Sequence, residues 1–394
     1  MTASKVAICD MGTGFIKAGF AGDKLPRHVF PSYVGRPLLR ADESFGGASI
    51  PDLLVGDDCQ PYLPLLDVKY PLENGVVRNW EDMTHLFDYL FDKKLHIKPE
   101  ETRFLLTEAA NTPKPAKTKM LEVMFEHYQM HSVQIIIQAL LVLFSEGLTT
   151  GVVVDSGDGV THIMPVYEGV LLEHLVKRLD IAGRDLTRHL MKLLQRQGYS
   201  LNKTSDFDTV RRIKETFCYT SVHPEIDASL AESTTVLMRE YTLPDGQKVK
   251  ISRERFEAVE PLFNPSLIGK EVGGVSDQLF ELIHTSPLDV RPTFYNSIYV
   301  SGGSTMFPGF PDRLEADLKK IYKSTVLRGV EVAEDKQKVK IQVNRNPQRM
   351  HHVFSGASLL GEISAQRDAF WVHKSEWEEQ GPHRCVERLG RLIG

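Results

Sequence analysis

The sequence is short of the features that would tie it to a membrane, a disulfide frame or a nucleic acid. Its 394 residues include four cysteines, Cys9, Cys59, Cys218 and Cys385, none of them in a CxxC pair. That spacing predicts reduced thiols in the cytosol rather than a disulfide scaffold or a zinc site. The most apolar stretch, Val133 to Phe144, spans about twelve residues with Gln134 and Gln138 inside it, too few to cross a bilayer, and it predicts a buried helix. The run Val6 to Cys9 is cut by Asp10 and is too short for a signal peptide. Neither sign of charge dominates: 47 Lys and Arg stand against 52 Asp and Glu, a net charge of -5. This balance argues against nucleic acid or an anionic lipid surface as the main partner. There is no Walker A lysine motif, no GxGxxG and no protein-kinase signature, so any phosphate site has to be built in another way.

A length beyond the roughly 250–300 residues at which single cores stop growing predicts two domains. The composition, 42% hydrophobic and 25% charged, is that of a soluble globular chain. The organising stretch is Gly151-Val152-Val153-Val154-Asp155-Ser156-Gly157-Asp158-Gly159-Val160-Thr161-His162. Its valines read as a buried strand. The acid and glycines that follow turn the backbone sharply and expose N–H groups as an anion-binding concavity beside a carboxylate. Taken alone, such a turn serves equally as an ordinary hairpin. Residues 5–22, KVAICDMGTGFIKAGFAG, repeat it: Asp10 matches Asp155, Gly12 matches Gly157, Gly14 matches Gly159, and Gly22 and Gly169 close the second strands. Two such hairpins about 145 residues apart predict a duplicated domain.

Together the hairpins suit a polyphosphate gripped between two domains. Asp10 and Asp155 would hold Mg²⁺ partly through water, and Lys17 would neutralise phosphate charge. Phosphoryl transfer needs an in-line nucleophile and charge stabilisation. Gln138, polar in an apolar helix, and His162, at the parity of Val160 on its strand, are the candidates for positioning a water. Each also reads as a satisfied polar residue of the core.

Elsewhere strands alternate with helices, the pattern of an α/β protein. Pro26 to Asp58, rich in Gly and Pro, reads as a small mobile surface unit containing the polar segment 40–49. Met83, Leu86, Phe87 and Leu90 mark one helix, Leu121, Met124, Phe125 and Tyr128 another, and Ile135 to Phe144 a buried one. Leu186, Leu190, Leu193 and Leu194 line a helix stopped by Gly198. Phe207, Val210, Ile213 and Phe217 line the next, whose outer face carries Arg211, Lys214 and Glu215. Tyr241 to Ile251 is a hairpin on Leu243-Pro244-Asp245-Gly246. Ile298 to Val300 is a strand that leads through the Gly302–Met306 loop, a generic anion site opening a helix. Residues 323–349, basic and polar with a strand-like VKIQV at 339–343, read as surface structure rather than core.

These residues match a known family. DMGTGFIKAGFAG, FPSYVGRP at 30–37, YPLENGVVRNWEDM at 70–83, IIQAL at 136–140 and VVVDSGDGVTH resemble actin. So do LDIAGRDLTRHL at 179–190, RIKETFCY at 212–219, YTLPDGQ at 241–247 and YVSGGSTMFPG at 299–309. The match runs in order through essentially the whole chain. It implies the actin-like ATPase fold, an α/β architecture of two duplicated domains, with mixed sheets flanked by helices around a nucleotide cleft. The implied outer domain is 1–145 plus 350–394, with 34–70 as its mobile subdomain. The implied inner domain is 146–349, with 182–282 as its upper subdomain. Carried over by motif, Asp10, Gly12, Thr13, Gly14, Phe15 and Lys17 form the first phosphate loop, and Asp155, Gly157, Asp158, Gly159 and Val160 the second. Gln138 and His162 order the hydrolytic water. Gly183, Arg211, Lys214, Glu215, Gly302, Gly303, Ser304, Thr305, Met306 and Phe307 surround ribose and adenine. The implied ligands are ATP or ADP with Mg²⁺, and slow hydrolysis serves as a switch.

Some features separate the chain from conventional actin. Met1-Thr2-Ala3-Ser4-Lys5 is not acidic, Asn74 stands where a histidine is usual, and a basic addition lies around 323–345. NGVVRNW, RLDIAGRD, EVGGVSDQLF and FYNSIYVSGGSTMFPGFPDRLEADLKKIY are similar to the actin-related members of the family that belong to a branch-nucleating complex. The implied partners are a second actin-related subunit and the other subunits, actin filaments and monomers, and nucleation-promoting factors, with no direct nucleic acid and no membrane insertion. The implied location is the cytoplasm, at the actin cytoskeleton and cell cortex, with the nucleus a second compartment. A divergent filament-forming actin, a nuclear actin-related protein of a chromatin-remodelling complex and a metabolic kinase are the alternatives. Met11, Met350, Ala357 and the 40–49 loop depart from the family pattern.

Overall fold

The computed structural model describes residues 5–38, 50–201, 204–243, 246–329 and 339–390. Met1 to Ser4, the 40–49 loop, Pro244-Asp245 and residues 330–338 of the basic addition lie outside the described residues.

In chain order the first elements are β1 (Val6–Met11), β2 (Phe15–Phe20), β3 (His28–Pro31), β4 (Val34–Pro37), β5 (Leu54–Val55), β6 (Leu66–Lys69), β7 (Leu72–Glu73) and β8 (Val76–Val77). Next come α1 (Trp80–Asp88), β9 (Arg103–Glu108), α2 (Lys114–Glu122), β10 (Ser132–Ile137) and α3 (Gln138–Ser145). The second half continues with β11 (Gly151–Ser156), β12 (Thr161–Tyr167), β13 (Val170–Leu171), β14 (Lys177–Leu179), α4 (Gly183–Arg196), α5 (Thr204–Phe217) and α6 (Pro224–Ser233). It closes with β15 (Arg239–Thr242), β16 (Lys248–Ile251), α7 (Glu254–Glu257), α8 (Val275–Thr285), α9 (Arg291–Asn296), β17 (Ile298–Ser301), α10 (Phe310–Thr325), α11 (His352–Ser364), β18 (Val372–His373) and α12 (Lys374–Arg388).

The chain packs as two units. The first comprises Met1–Thr149, Val166–Glu173 and His351–Gly394. Its sheet has the order β18-β10-β9-β1-β2-β3. Within it β1 lies between antiparallel β2 and parallel β9, and β9 lies beside parallel β10. Ala7, Ile8, Cys9, Leu105 and Leu106 are fully buried, which is why these strands read as continuous apolar runs rather than alternating ones. All four cysteines are free and buried.

The buried helix expected over Val133 to Phe144 divides in two. Ser132 to Ile137 is a strand, aligned with Arg103 to Glu108, and the helix starts only at Gln138. An apolar run alone does not separate the two states, and here the β-branched Val133, Ile135, Ile136 and Ile137 favour the strand. The described part of Pro26 to Asp58 is folded: β4 pairs with β5 and β6 around a small core of Tyr33, Leu54, Cys59 and Leu66.

The second unit comprises Thr150–Pro165 and His174–Met350. Here β11 takes the place of β1, between β12 and parallel β17, and Val152, Val153 and Val154 have no exposure. Helix α4 buries Leu186, Leu190, Leu193 and Leu194 as its periodicity predicts.

Three sequence readings are corrected in this unit. Lys214 is buried rather than on the outer face of α5. The Gly302–Met306 loop forms a single 3₁₀ turn at Gly303–Thr305, and the long helix opens later, at Phe310. Ile341 and Val343, within the stretch read as surface, are buried, and Val343 bridges Ile298 in parallel beside β17. Exposed Lys340 and Gln342 alternate with them, the period of a half-buried edge strand.

Helix α11 approaches α3 at Gly356, where an added Cβ would stand 1.8 Å from the Leu141 carbonyl oxygen. Gly356→Ala is therefore expected to push the helices apart and cost about 1–3 kcal/mol of stability. A urea titration that left the midpoint unchanged would contradict this reading of the contact.

Candidate functional site

The first candidate site is built on the β1–β2 hairpin. Antiparallel register sets Asp10 opposite Lys17, and the Lys17 ammonium lies 3.3 Å from Asp10 Oδ2. Asp10 is 3% exposed, so its carboxylate needs partners. Thr107 Oγ1 on β9 donates to Oδ1 at 2.7 Å, and Gln138 Nε2 donates to the same oxygen at 3.2 Å. Gln138 gets there because β10 runs parallel to β9 and gives way to α3 one residue after Ile137. Between the strands Gly12 N–H bonds Phe15 O at 3.1 Å. A Cβ at Gly12 would sit 2.4 Å from that same oxygen, so the turn admits only glycine. Ser32 Oγ lies 2.8 Å from both Gly12 O and Thr13 O, and Gly75 N–H donates to Thr13 Oγ1 at 3.2 Å. The turn carbonyls are thus held from behind, the backbone arrangement in which successive amides can be presented to an anion.

The second candidate site, on the β11–β12 hairpin, repeats the backbone. Gly157 N–H bonds Val160 O at 3.2 Å, the counterpart of Gly12 and Phe15. Gly157 O accepts from Gly183 N–H at 3.1 Å and from Ser304 Oγ at 2.6 Å. Asp158 accepts Arg184 Nε at 2.6 Å through its carboxylate and Arg184 N–H at 2.9 Å through its carbonyl. Asp155 stands opposite Ser301 in the parallel register. Gly302, at φ +91, passes so close that a Cβ would meet Ser156 O at 2.2 Å, so both the left-handed backbone and the approach require glycine.

Lys214 Nζ donates to Gly183 O at 2.7 Å. Burial pulls its pKa below the ordinary lysine value, with Asp158 and Glu215 opposing. Arg211 and Glu215 pair with each other along α5 at 3.3 Å, and Arg211 also holds Asp208 at 2.5 Å. Thr305 Oγ1 bonds Gly302 O, Met306 caps the 3₁₀ turn, Phe307 is buried, and a Cβ at Gly303 would meet nothing within 4 Å.

Several supporting residues escaped the sequence reading. Ser32 and Arg184 lie inside motifs quoted above, and Thr107 is a hydroxyl closing an otherwise apolar run, a signal that was there to be weighed. Arg349, which donates to Thr305 O from Nη2 at 2.8 Å and Nε at 3.1 Å, sits in an irregular polar stretch that carries no such signal. Among the described residues no group of three His, Cys, Asp or Glu could hold a metal ion, and no helix is long and apolar enough to cross a membrane.

The architecture and the paired acid-glycine hairpins define the class: the chain belongs to the actin family, whose sequence model matches residues 1–390. Within that family it is 50% identical over 380 residues to actin-related protein 2 of Acanthamoeba castellanii, covering 96% of this chain and 97% of that one. It is equally similar, at 50% over 383 residues, to actin-related protein 2 of Schizosaccharomyces pombe, covering 97% of each chain. Actin-related protein 2 of Caenorhabditis briggsae matches at 50% over 388 residues, 98% of each.

His162 gives the second candidate site a measurable signature. It is 2% exposed, and its Nε2 has no hydrogen-bond partner among the described residues. Burial first, and the nearby Arg178 second, push its pKa down from 6.5 to about 4. The unfolded chain therefore binds this proton more readily, and the stability it represents is complete above pH 6.5 and is lost as pH falls towards 4. Between about pH 7.5 and pH 5 this residue alone accounts for about 2 kcal/mol. Urea unfolding of His162→Gln, which cannot take up the proton, is expected to show that much less loss over the same interval. Parallel losses in the two proteins would mean that His162 is not the group titrating.

Proposed function

We propose that this protein binds ATP or ADP with Mg²⁺ and works as the actin-related subunit of a complex that nucleates branched actin filaments, with nucleotide binding and slow hydrolysis acting as a conformational switch. The observation that carries the nucleotide part is the doubled hairpin. The same amide-to-carbonyl bond closes the turn after Asp10 and after Asp155, in a chain of the actin family. Its similarity to actin-related protein 2 of three organisms supports the assignment to the branching complex.

The residues present fit the ligand. The Gly12 turn has no space for a side chain, so the backbone itself can approach a phosphate. Asp10 and Asp155 would hold the metal ion, which supplies charge neutralisation at the phosphates, largely through water, as a hard cation prefers. Lys17 adds a positive charge on the side of Asp10. Gln138, whose amide already donates to Asp10, keeps its carbonyl oxygen to accept from an attacking water, and neutral His162 is available as a second acceptor. Lys214, held on Gly183 O, fixes one wall of the nucleoside pocket, together with Gly302 to Phe307.

On this reading the partners are a second actin-related subunit, the remaining subunits, actin and nucleation-promoting factors. The site of action is the cytoplasmic actin cytoskeleton and cell cortex, with the nucleus a second compartment.

Two measurements test the proposal. Asp155→Ala should weaken Mg-ATP binding by about tenfold or more, or about 1.4 kcal/mol. Gln138→Ala should bind normally and hydrolyse roughly tenfold to a hundredfold more slowly. Equal loss of binding in both variants would reject the role given to Gln138. Affinity purification should recover a stable assembly containing a second actin-related chain, whereas isolated protein that pelleted as long filaments with ATP would favour a conventional actin.

A further inference from the structure

The first unit carries a trench that the nucleotide reading does not use. Two depressions, of about 570 and 480 Å³, meet at Gln129 and Lys374, which line both. One wall belongs to α2 and the turn after it, the other to α12. The walls are joined below by Trp377 and Phe125, whose rings lie 5.7 Å apart, and the Lys374 ammonium is hydrogen-bonded to Gln129 Oε1. Helix α12 breaks at Gly381, at φ 77 and ψ 172. The following Pro382 lines the trench.

The charges along this trench are unbalanced. Glu100, Glu122, Glu126 and Glu378 line it against a single ammonium, that of Lys374. Lys374 is already 3.6 Å from Glu378, and Glu122 is held by Lys119 at 2.5 Å. Glu126 takes only the Trp377 indole N–H, at 3.3 Å. Neither Glu100 nor Glu126 has a cationic partner among the described residues.

We propose that this trench is a docking site for a cationic segment of a partner protein, which sets an aliphatic side chain against Trp377 and Pro382 and presents Lys or Arg to Glu126 and Glu378. Complementary charge is what selects this occupant: an anionic lipid surface or an acidic peptide would meet four carboxylates against one ammonium. Because the carboxylates are solvent-facing, each pair contributes little alone, so recognition depends on several engaging at once over the aromatic floor. The site is independent of nucleotide binding and stands or falls separately from it.

The test uses the whole protein and a fluorescein-labelled amphipathic peptide of Lys, Arg, Leu and Ala. Binding is read by anisotropy, and carbodiimide coupling followed by peptide mapping locates the peptide's amines. The wild type is expected to bind with micromolar affinity that falls with added salt, and coupling is expected at Glu126 or Glu378. The double variant Glu126→Gln, Glu378→Gln should bind about tenfold more weakly, and Lys374→Glu should bind more tightly. Opposite shifts from the same surface cannot both come from misfolding. A peptide with Glu in place of Lys and Arg should not bind. No binding by the wild type, one affinity across all three proteins, or coupling confined to other carboxylates would overturn the proposal.

Discussion

A carboxylate at the end of a strand covered on both faces is the constraint on which the first unit is built. Leaving Asp10 ionised and unpaired at 3% exposure would cost several kcal/mol, so three elements converge on it. Strand β2 must return in the register that sets Lys17 opposite, because a slip of one residue would carry Lys17 to the other face of the sheet. Parallel β9 must bring Thr107 to Oδ1, and β10 must end where Gln138 can reach the same atom. The strand order β10-β9-β1-β2 is thus also the order in which ligands are delivered to one side chain.

The second unit meets the same backbone requirement with different supports. Its turn closes through the same amide-to-carbonyl bond, but the carbonyl that Ser32 holds in the first unit is held by Gly183 and Ser304 in the second. Those residues come from the start of α4 and from the turn after β17, and Lys214 on α5 fixes Gly183 in turn. Duplication is therefore visible at the hairpin and fades with distance from it. What the two units share is a geometry of aspartate, turn and central strand, which few other residues can satisfy. What differs is the scaffolding, where many solutions serve.

The division explains what could be read from the sequence. The hairpins were legible because a strand buried on both faces, an acid and turn glycines form a pattern with few alternatives, and the leucines of α4 were legible because their period is unbroken. The boundary at Gln138 was not, since one apolar run covers both a strand and a helix, and only pairing with β9 separates them. Lys214 was misplaced because a lysine on an amphipathic helix is ordinarily solvated, and nothing local announces that Gly183 O will accept a hydrogen bond from its ammonium. The alternation of VKIQV at 339–343 announced a strand, but the burial of Ile341 and Val343, like the role of Arg349, depends on contacts with β17 and the turn after it, which leave no mark on their own neighbourhood.

Asn74 bears on the site through its backbone. The residue stands at φ 49, and Gly75 follows at φ 79, the backbone of a type I′ hairpin turn, for which Asn-Gly is the most favourable pair. The turn joins Leu72–Glu73 to Val76–Val77 and directs the Gly75 amide onto Thr13 Oγ1, in the first acid-glycine turn. A residue at position 74 that resisted positive φ would loosen the hairpin and withdraw that amide from Thr13 Oγ1. Asparagine at this place therefore strengthens the connection that orders the turn beside Asp10.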